Sequence, residues 1–115
     1  MELFLIEISV SDWDHSLAWY RDTLGLQPSL IDESHRYALL SVLGANLAIR
    51  QEKRVGEHSG FRLTFRVENL DTSRSRLIGL GVPVGEPTEN IEEHFREARL
   101  TDPDGTPITL FEWTR

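Results

Sequence analysis

Apolar side chains alternate with others over Phe4–Val10: Phe4, Ile6, Ile8 and Val10 share one set of positions, and Leu5, Glu7 and Ser9 the other. This two-residue period predicts a strand. The period then lengthens. From about Asp14 to Leu24 the positions Leu17, Tyr20 or Arg21, and Leu24 recur three and four apart, which predicts a helix capped by Asp12 or Asp14 and stopped at Gly25. Trp13 and Trp19 are read as packing residues. Alternation returns at Phe61, Leu63, Phe65 and Val67, followed by a second helix from about Asp71 to Leu80. Its apolar set is Leu70, Leu77, Ile78 and Leu80, and Gly79 and Gly81 end it in a turn. Residues 85–93 are polar and without period, a loop or a short edge strand, and Pro87 fits an edge.

The chain says nearly the same thing twice. Residues 8–16, ISVSDWDHS, lie over residues 65–73, FRVENLDTS, matching strand end, cap and helix start position by position. Residues 44–49, GANLAI, lie in the same way over residues 105–110, GTPITL. The order strand, helix, three antiparallel strands is therefore a βαβββ module used twice, module one at about 1–55 and module two at about 58–115, within one domain over residues 1–115. Neither module can bury both sides of its own sheet, so the halves are expected to pack on each other. The turn at Asp102-Pro-Asp-Gly105 joins two strands, and its acids are expected to face solvent.

Two stretches, residues 10–26 (VSDWDHSLAWYRDTLGL) and residues 100–112 (LTDPDGTPITLFE), together resemble the vicinal oxygen chelate superfamily, which includes glyoxalase I, extradiol dioxygenases and bleomycin-resistance proteins. The resemblance covers nearly the whole chain. It implies an α+β fold in which two tandem βαβββ modules place their helices outside and form a curved mixed sheet around an open cup. Strand alternation then assigns faces. Leu5, Glu7 and Ser9 turn into the cup from the first strand, and Arg62, Thr64 and Arg66 from its counterpart. Leu47, Ile49, Ile108 and Leu110 take the core side, leaving Ala48, Arg50, Thr109, Phe111 and Trp113 to line the cup. Over Glu97–Thr101, Glu97 and Arg99 point inward and Ala98 and Leu100 are buried.

Metal-dependent members of the superfamily carry His, Glu or Gln at four cup positions, which fall here on Leu5, Ala48, Arg62 and Thr109. Leu and Ala have no donor atom, a guanidinium repels a cation, and a lone Thr hydroxyl is too weak a ligand. No metal and no cofactor is expected. His15, on the first helix, and His35, His58 and His94, in turns or at strand starts, show no chelating spacing. The pair Glu92 and Glu93 reads as a solvated face, and no Gly-rich phosphate loop or nucleophile elbow is present.

Composition narrows the picture further. The 115 residues are 39% hydrophobic and 27% charged, ordinary for a globular chain, and include no cysteine, which removes disulfides and thiolate chemistry. A cytoplasmic location is the expectation. The run Phe4-Leu5-Ile6 lies between Glu2 and Glu7 and lacks basic flanks, so it reads as a strand and not a signal peptide, and no membrane partner is expected. A formal charge of −7 argues against a nucleic-acid partner. A homodimer is expected, because a duplicated half-sheet exposes edges and an apolar margin around Trp13, Trp19 and Trp113.

Three functions fit these residues. The leading one is a metal-free domain that binds a small organic anion in the cup. Its ligand-binding residues are Glu7, Ser9, Arg50, Arg62, Thr64, Arg66, Thr109, Phe111 and Trp113: the Arg residues clamp the anion and the two aromatics supply a wall. The second is a glyoxalase-like lyase, isomerase or dioxygenase with an atypical site, in which Glu7 is the candidate general base. The third is a non-catalytic interaction module whose Arg and Glu side chains pair among themselves and close the cup.

Overall fold

The computed structural model describes residues 4–42, 44–53 and 62–115. The chain divides into two compact units, Met1–Glu57 and His58–Arg115. Phe61 and His58, named above, lie outside the described residues.

In unit one, β1 (Ile6–Val10) leads into α1 (Trp13–Ala18), a π-helical segment (Trp19–Thr23), then β2 (Gln27–Asp32), β3 (Tyr37–Val42) and β4 (Ala45–Gln51). The sheet order is β1-β4-β3-β2, with β1 parallel to β4 and the other pairs antiparallel. Unit two repeats this with β5 (Leu63–Arg66), α2 (Leu70–Gly79), β6 (Thr88–Asn90), β7 (Phe95–Thr101) and β8 (Pro107–Trp113), in the order β5-β8-β7-β6. The edge strand β6 is the stretch that showed no period in the sequence.

The repeat extends to register. Ile6 pairs with Leu47, Glu7 with Ala48 and Ile8 with Ile49; Leu63 pairs with Ile108, Thr64 with Thr109 and Phe65 with Leu110. Each pair in one unit is the sequence counterpart of a pair in the other. The caps recur as well: Asp12 accepts from His15 N at 3.1 Å, and Asn69 from Thr72 N at 3.0 Å. Each satisfies one of the N–H groups that a helix start leaves unpaired. The end of α2 is a Schellman motif, with Val82 N donating to Leu77 O at 3.0 Å and Gly81 N to Ile78 O at 2.9 Å. It requires a left-handed residue at Gly81, whose φ is +85°, a conformation glycine adopts without a Cβ clash.

The first helix departs from its expectation. Its α-helical part spans only six residues before the hydrogen bonding widens to the π pattern, and Gly25, at φ +77°, follows. Leu17 and Tyr20 are buried as expected, whereas Arg21 is exposed and bonded to Asp22.

Each unit buries the helix-facing side of its sheet. In unit one this side holds Ile8, Val10, Ala38, Leu40, Leu47 and Ile49, with Trp13, Leu17 and Tyr20 buried from the helix. In unit two it holds Leu63, Ala98, Leu100, Ile108 and Leu110, with Leu70 and Leu77 from α2. The strand set expected under the helices is shorter than the alternation suggested, since Phe4 is 71% and Ile6 40% exposed, and Phe65 and Val67 are half-buried. Phe4 precedes the paired residues of β1. Ile78 and Leu80 are also exposed, because they sit in the turn that closes α2.

Two further expectations are corrected. Trp13 is 1% exposed, a core residue and no part of any apolar margin. Asp102 is buried, and its Oδ1 accepts from Thr106 N at 2.7 Å and Asp104 N at 2.9 Å. The turn needs an acceptor for two N–H groups that point inward, so the first acid of the turn is a structural acceptor and not a solvated charge. No helix among the described residues is long and apolar enough to cross a membrane.

Candidate functional site

Each sheet has a second face, opposite its helix, and the candidate ligand residues lie there. In unit two, register places Thr64, Thr109 and Arg99 in one row and Arg66, Phe111 and Glu97 in the next, with Trp113 beside Phe95 beyond them. Glu97 and Arg99 therefore share this face with Arg62, Thr64 and Arg66, as strand alternation requires. Phe111 stacks edge-on against Trp113 at 5.0 Å, and Trp113 against Phe95 at 6.4 Å, so the aromatics form one continuous wall.

The guanidinium groups of this face differ in their partners. Arg66 Nη1 donates to Glu68 at 3.0 Å. Arg99 lies 3.7 Å from Glu97, beyond hydrogen-bond length. Arg62 donates to the hydroxyl of Thr109 at 3.3 Å and has no carboxylate partner among the described residues. Thr109 is thus flanked twice, by Arg62 through its hydroxyl and by Arg99 through strand register. Thr109 itself is 3% exposed.

In unit one the same face holds Glu7 beside Ala48 and Ser9 beside Arg50. Glu7 and Arg50 stand 3.6 Å apart and are both partly exposed, a loose surface pair that contributes little to stability. Ala48 is fully buried on this face. β3 adds to this face Tyr37 beside Arg50 and Leu39 beside Ala48, which are not among the expected lining residues although the two-residue period of Tyr37–Val42 marks them.

The four positions that the resemblance assigns to metal ligands, Leu5, Ala48, Arg62 and Thr109, carry side chains that do not suit a divalent ion. Leu5 and Ala48 supply no donor, and the Thr109 hydroxyl is engaged by the cation Arg62. Among the described residues no three His, Cys, Asp or Glu side chains cluster closely enough to hold a metal.

One arrangement outside these faces brings Ser, His and Asp together. In the β2–β3 turn, His35 Nδ1 lies 2.9 Å from Asp32 and 3.1 Å from Ser34. Both neighbours meet the same ring nitrogen, whereas a nucleophile relay needs the serine on Nε2 and the acid on Nδ1. Ser34 and His35 hold the Asp32 carboxyl below its usual range, which marks a hydrogen-bonded turn. The other depressed carboxyls, Asp22 beside Arg21 in the π-helical segment and Asp71 beside Arg96 in the first turn of α2, lie on helices and not on the candidate faces.

Comparison with known proteins matches this architecture. The uncharacterized protein YraH of Bacillus subtilis (strain 168) is 27% identical over 126 residues, covering 97% of this chain and 98% of its own. An integron cassette protein from the mobile metagenome of Halifax Harbour sewage outfall, HFX_CASS4, superposes with a TM-score of 0.84 at 23% identity, over 96% of this chain and 97% of its own. TnmS3, an antibiotic binding protein from Streptomyces sp. CB03234, superposes with a TM-score of 0.78 at 25% identity, over 98% and 96%. The family model of the Glyoxalase/Bleomycin resistance protein/Dioxygenase superfamily matches residues 3–110. With that match over nearly its full length, the chain belongs to this superfamily.

Proposed function

We propose that this chain is a metal-independent binding member of the superfamily that holds a small organic anion on the open faces of its sheets. The observation that carries the reading is Arg62: a guanidinium whose partner is a neutral hydroxyl, standing where metal-dependent relatives place a ligand. Such a group retains N–H donors for a bidentate carboxylate or phosphate. Arg99 and Arg50 support it, because their carboxylate neighbours at 3.7 and 3.6 Å are displaceable surface partners. The ligand-contacting residues in this reading are Glu7, Ser9 and Arg50 in unit one, and Arg62, Thr64, Arg66, Thr109, Phe111 and Trp113 in unit two. TnmS3, an antibiotic binding protein, gives a precedent for small-molecule binding in a protein of this fold.

A homodimer, a cytoplasmic location and the absence of nucleic-acid partners belong to the same proposal. The test is a thermal-shift panel. A ligand that binds only the native state raises the melting temperature, so carboxylates or phosphates should raise it, whereas manganese, iron, nickel and zinc should not. A reproducible upward shift with one of these metals and none with any anion would overturn the reading.

A further inference from the structure

A groove of about 810 Å³ lies at the end of the unit-two sheet, between the turn that closes α2 and the ends of β7 and β8. Its volume is in the range of small-molecule sites. Its wall is largely apolar, with Ile78, Val82, Val84 and Leu100, and its charged lining residues are Arg62 and Arg99, both cations. No acid lines it.

The wall is also fixed in place. The Schellman motif sets the direction in which the chain leaves α2. Arg74, from the middle of α2, then donates through Nε to Gly85 O at 2.9 Å and through Nη2 to Val84 O at 3.4 Å. From the other side Gly85 N donates to Arg99 O at 2.9 Å. The segment 82–85 is therefore clamped between helix and sheet, and Pro83 restricts it further. A wall held this way leaves little ordering cost for an occupant.

We infer that this groove takes a carboxylate carried on a short aliphatic chain, with the head group on Arg62 and Arg99 and the chain along residues 82–84. The inference rests on the anion reading above, because Arg62 belongs to both, and it adds the class of ligand and the surface that receives its apolar part. Charge complementarity selects the head: Arg62 donates to Thr109, Arg99 is the register partner of Thr109, and among the described residues neither has a carboxylate within hydrogen-bond length. The apolar wall selects the body.

The experiment is an NMR titration of the full chain with acetate, butanoate and hexanoate, with hexylammonium and 1-hexanol as controls. Affinity should rise about threefold to fourfold per added methylene, the gain for burying one CH₂, and hexylammonium should not bind. Arg99→Ala should weaken hexanoate about tenfold, the lower end for a hydrogen bond to a charged group. Arg21→Ala, on the other unit and paired with Asp22, should leave it unchanged. Val84→Asp should abolish the chain-length dependence while acetate still binds. Ile78→Glu, at a position 45% exposed, serves the same purpose should Val84→Asp not fold. If acetate and hexanoate bind equally well through Arg62, the groove inference fails and the anion reading stands. If 1-hexanol matches hexanoate, the charged head is wrong and the inference fails. If no anion perturbs the signals of Arg62 and Arg99, both fall together.

Discussion

Arg96 holds Asp71 through both terminal guanidinium nitrogens, at 3.0 and 3.1 Å, and reaches Glu112 at 2.9 Å. It ties the first turn of α2 to β7 and β8 at one point. Asp14 occupies the same place in α1 as Asp71 in α2, two residues after the cap, and is met by Arg36 at 2.9 Å. The duplicated chain thus has in both halves a carboxylate at the helix start and a cation that faces it, Arg36 just before β3 and Arg96 on β7, where the acid also suits the helix dipole. In unit one Arg36 also lies 5.6 Å over the ring of Trp13.

The Asp71 pair makes a pH prediction. The hydrogen bond from Arg96 lowers the Asp71 carboxyl below its ordinary value of 3.8, so the folded state binds that proton less readily than the unfolded state. Stabilisation from a lowered carboxyl is fully present above the unfolded value and is lost as pH falls through the folded one. Melting curves of the parent and Asp71→Asn should therefore differ at pH 7 and converge toward pH 3. Asp71 is largely exposed, so the difference should also shrink with added salt. A gap that widened on acidification would contradict the assignment.

Asp102 is expected to matter more than a turn residue ordinarily does. Asp102→Ala removes the acceptor for Thr106 N and Asp104 N in a buried position, and should cost about 1.5–3 kcal/mol in urea unfolding. Asp102→Asn keeps one oxygen and should cost less. Equal and negligible losses for both would mean the turn does not depend on this side chain.

Ser16 is the opposite case. Its hydroxyl is buried on α1 without a hydrogen-bond partner among the described residues, as is the indole nitrogen of Trp13. Replacing Ser16 with Ala removes an unpaired polar group and adds a better helix former, worth about 0.5 kcal/mol by propensity alone. Urea midpoints should stay level or rise. A fall equivalent to more than about 1 kcal/mol would show that the hydroxyl has a partner.

The account also expects a dimer in solution. Phe4, just before β1, Ile6 on the edge strand β1 and Trp113 at the end of β8 remain exposed, and exposed apolar residues beside an open edge are commonly covered by a second copy. Light scattering should return twice the chain mass of 13.2 kDa. A mass equal to one chain at micromolar concentration would remove the dimer from the proposal.

How much of this was legible in the chain depends on the range of the interactions. The repeat, the caps at Asp12 and Asn69 and the two hairpins are local patterns, and their registers follow from them. The placement of Arg62, Arg66, Glu97 and Arg99 on one face needed only strand alternation and the position of the turn. What escaped depends on neighbours distant in sequence or on backbone detail. Asp102 reads as a solvated turn acid until the direction of Thr106 N is known. The π-helical segment after Ala18 keeps enough of a helical period that nothing in the residue spacing announces it. Burial of Ala48 and Thr109 belongs to central strands, and a central position is a property of sheet order, not of local sequence.

The most direct test of the central claim is calorimetric titration of the parent and Arg62→Ala with acetate, oxalate and inorganic phosphate, with melting curves recorded on both. The account predicts that at least one anion binds the parent, and that Arg62→Ala loses about 1.5–3 kcal/mol of that binding, the range for a hydrogen bond to a charged group. The melting temperature should not change, since Arg62 is exposed and among the described residues its partner is a neutral hydroxyl. Absence of heat with every anion, together with a lowered melting temperature in Arg62→Ala, would contradict it and make Arg62 a structural residue.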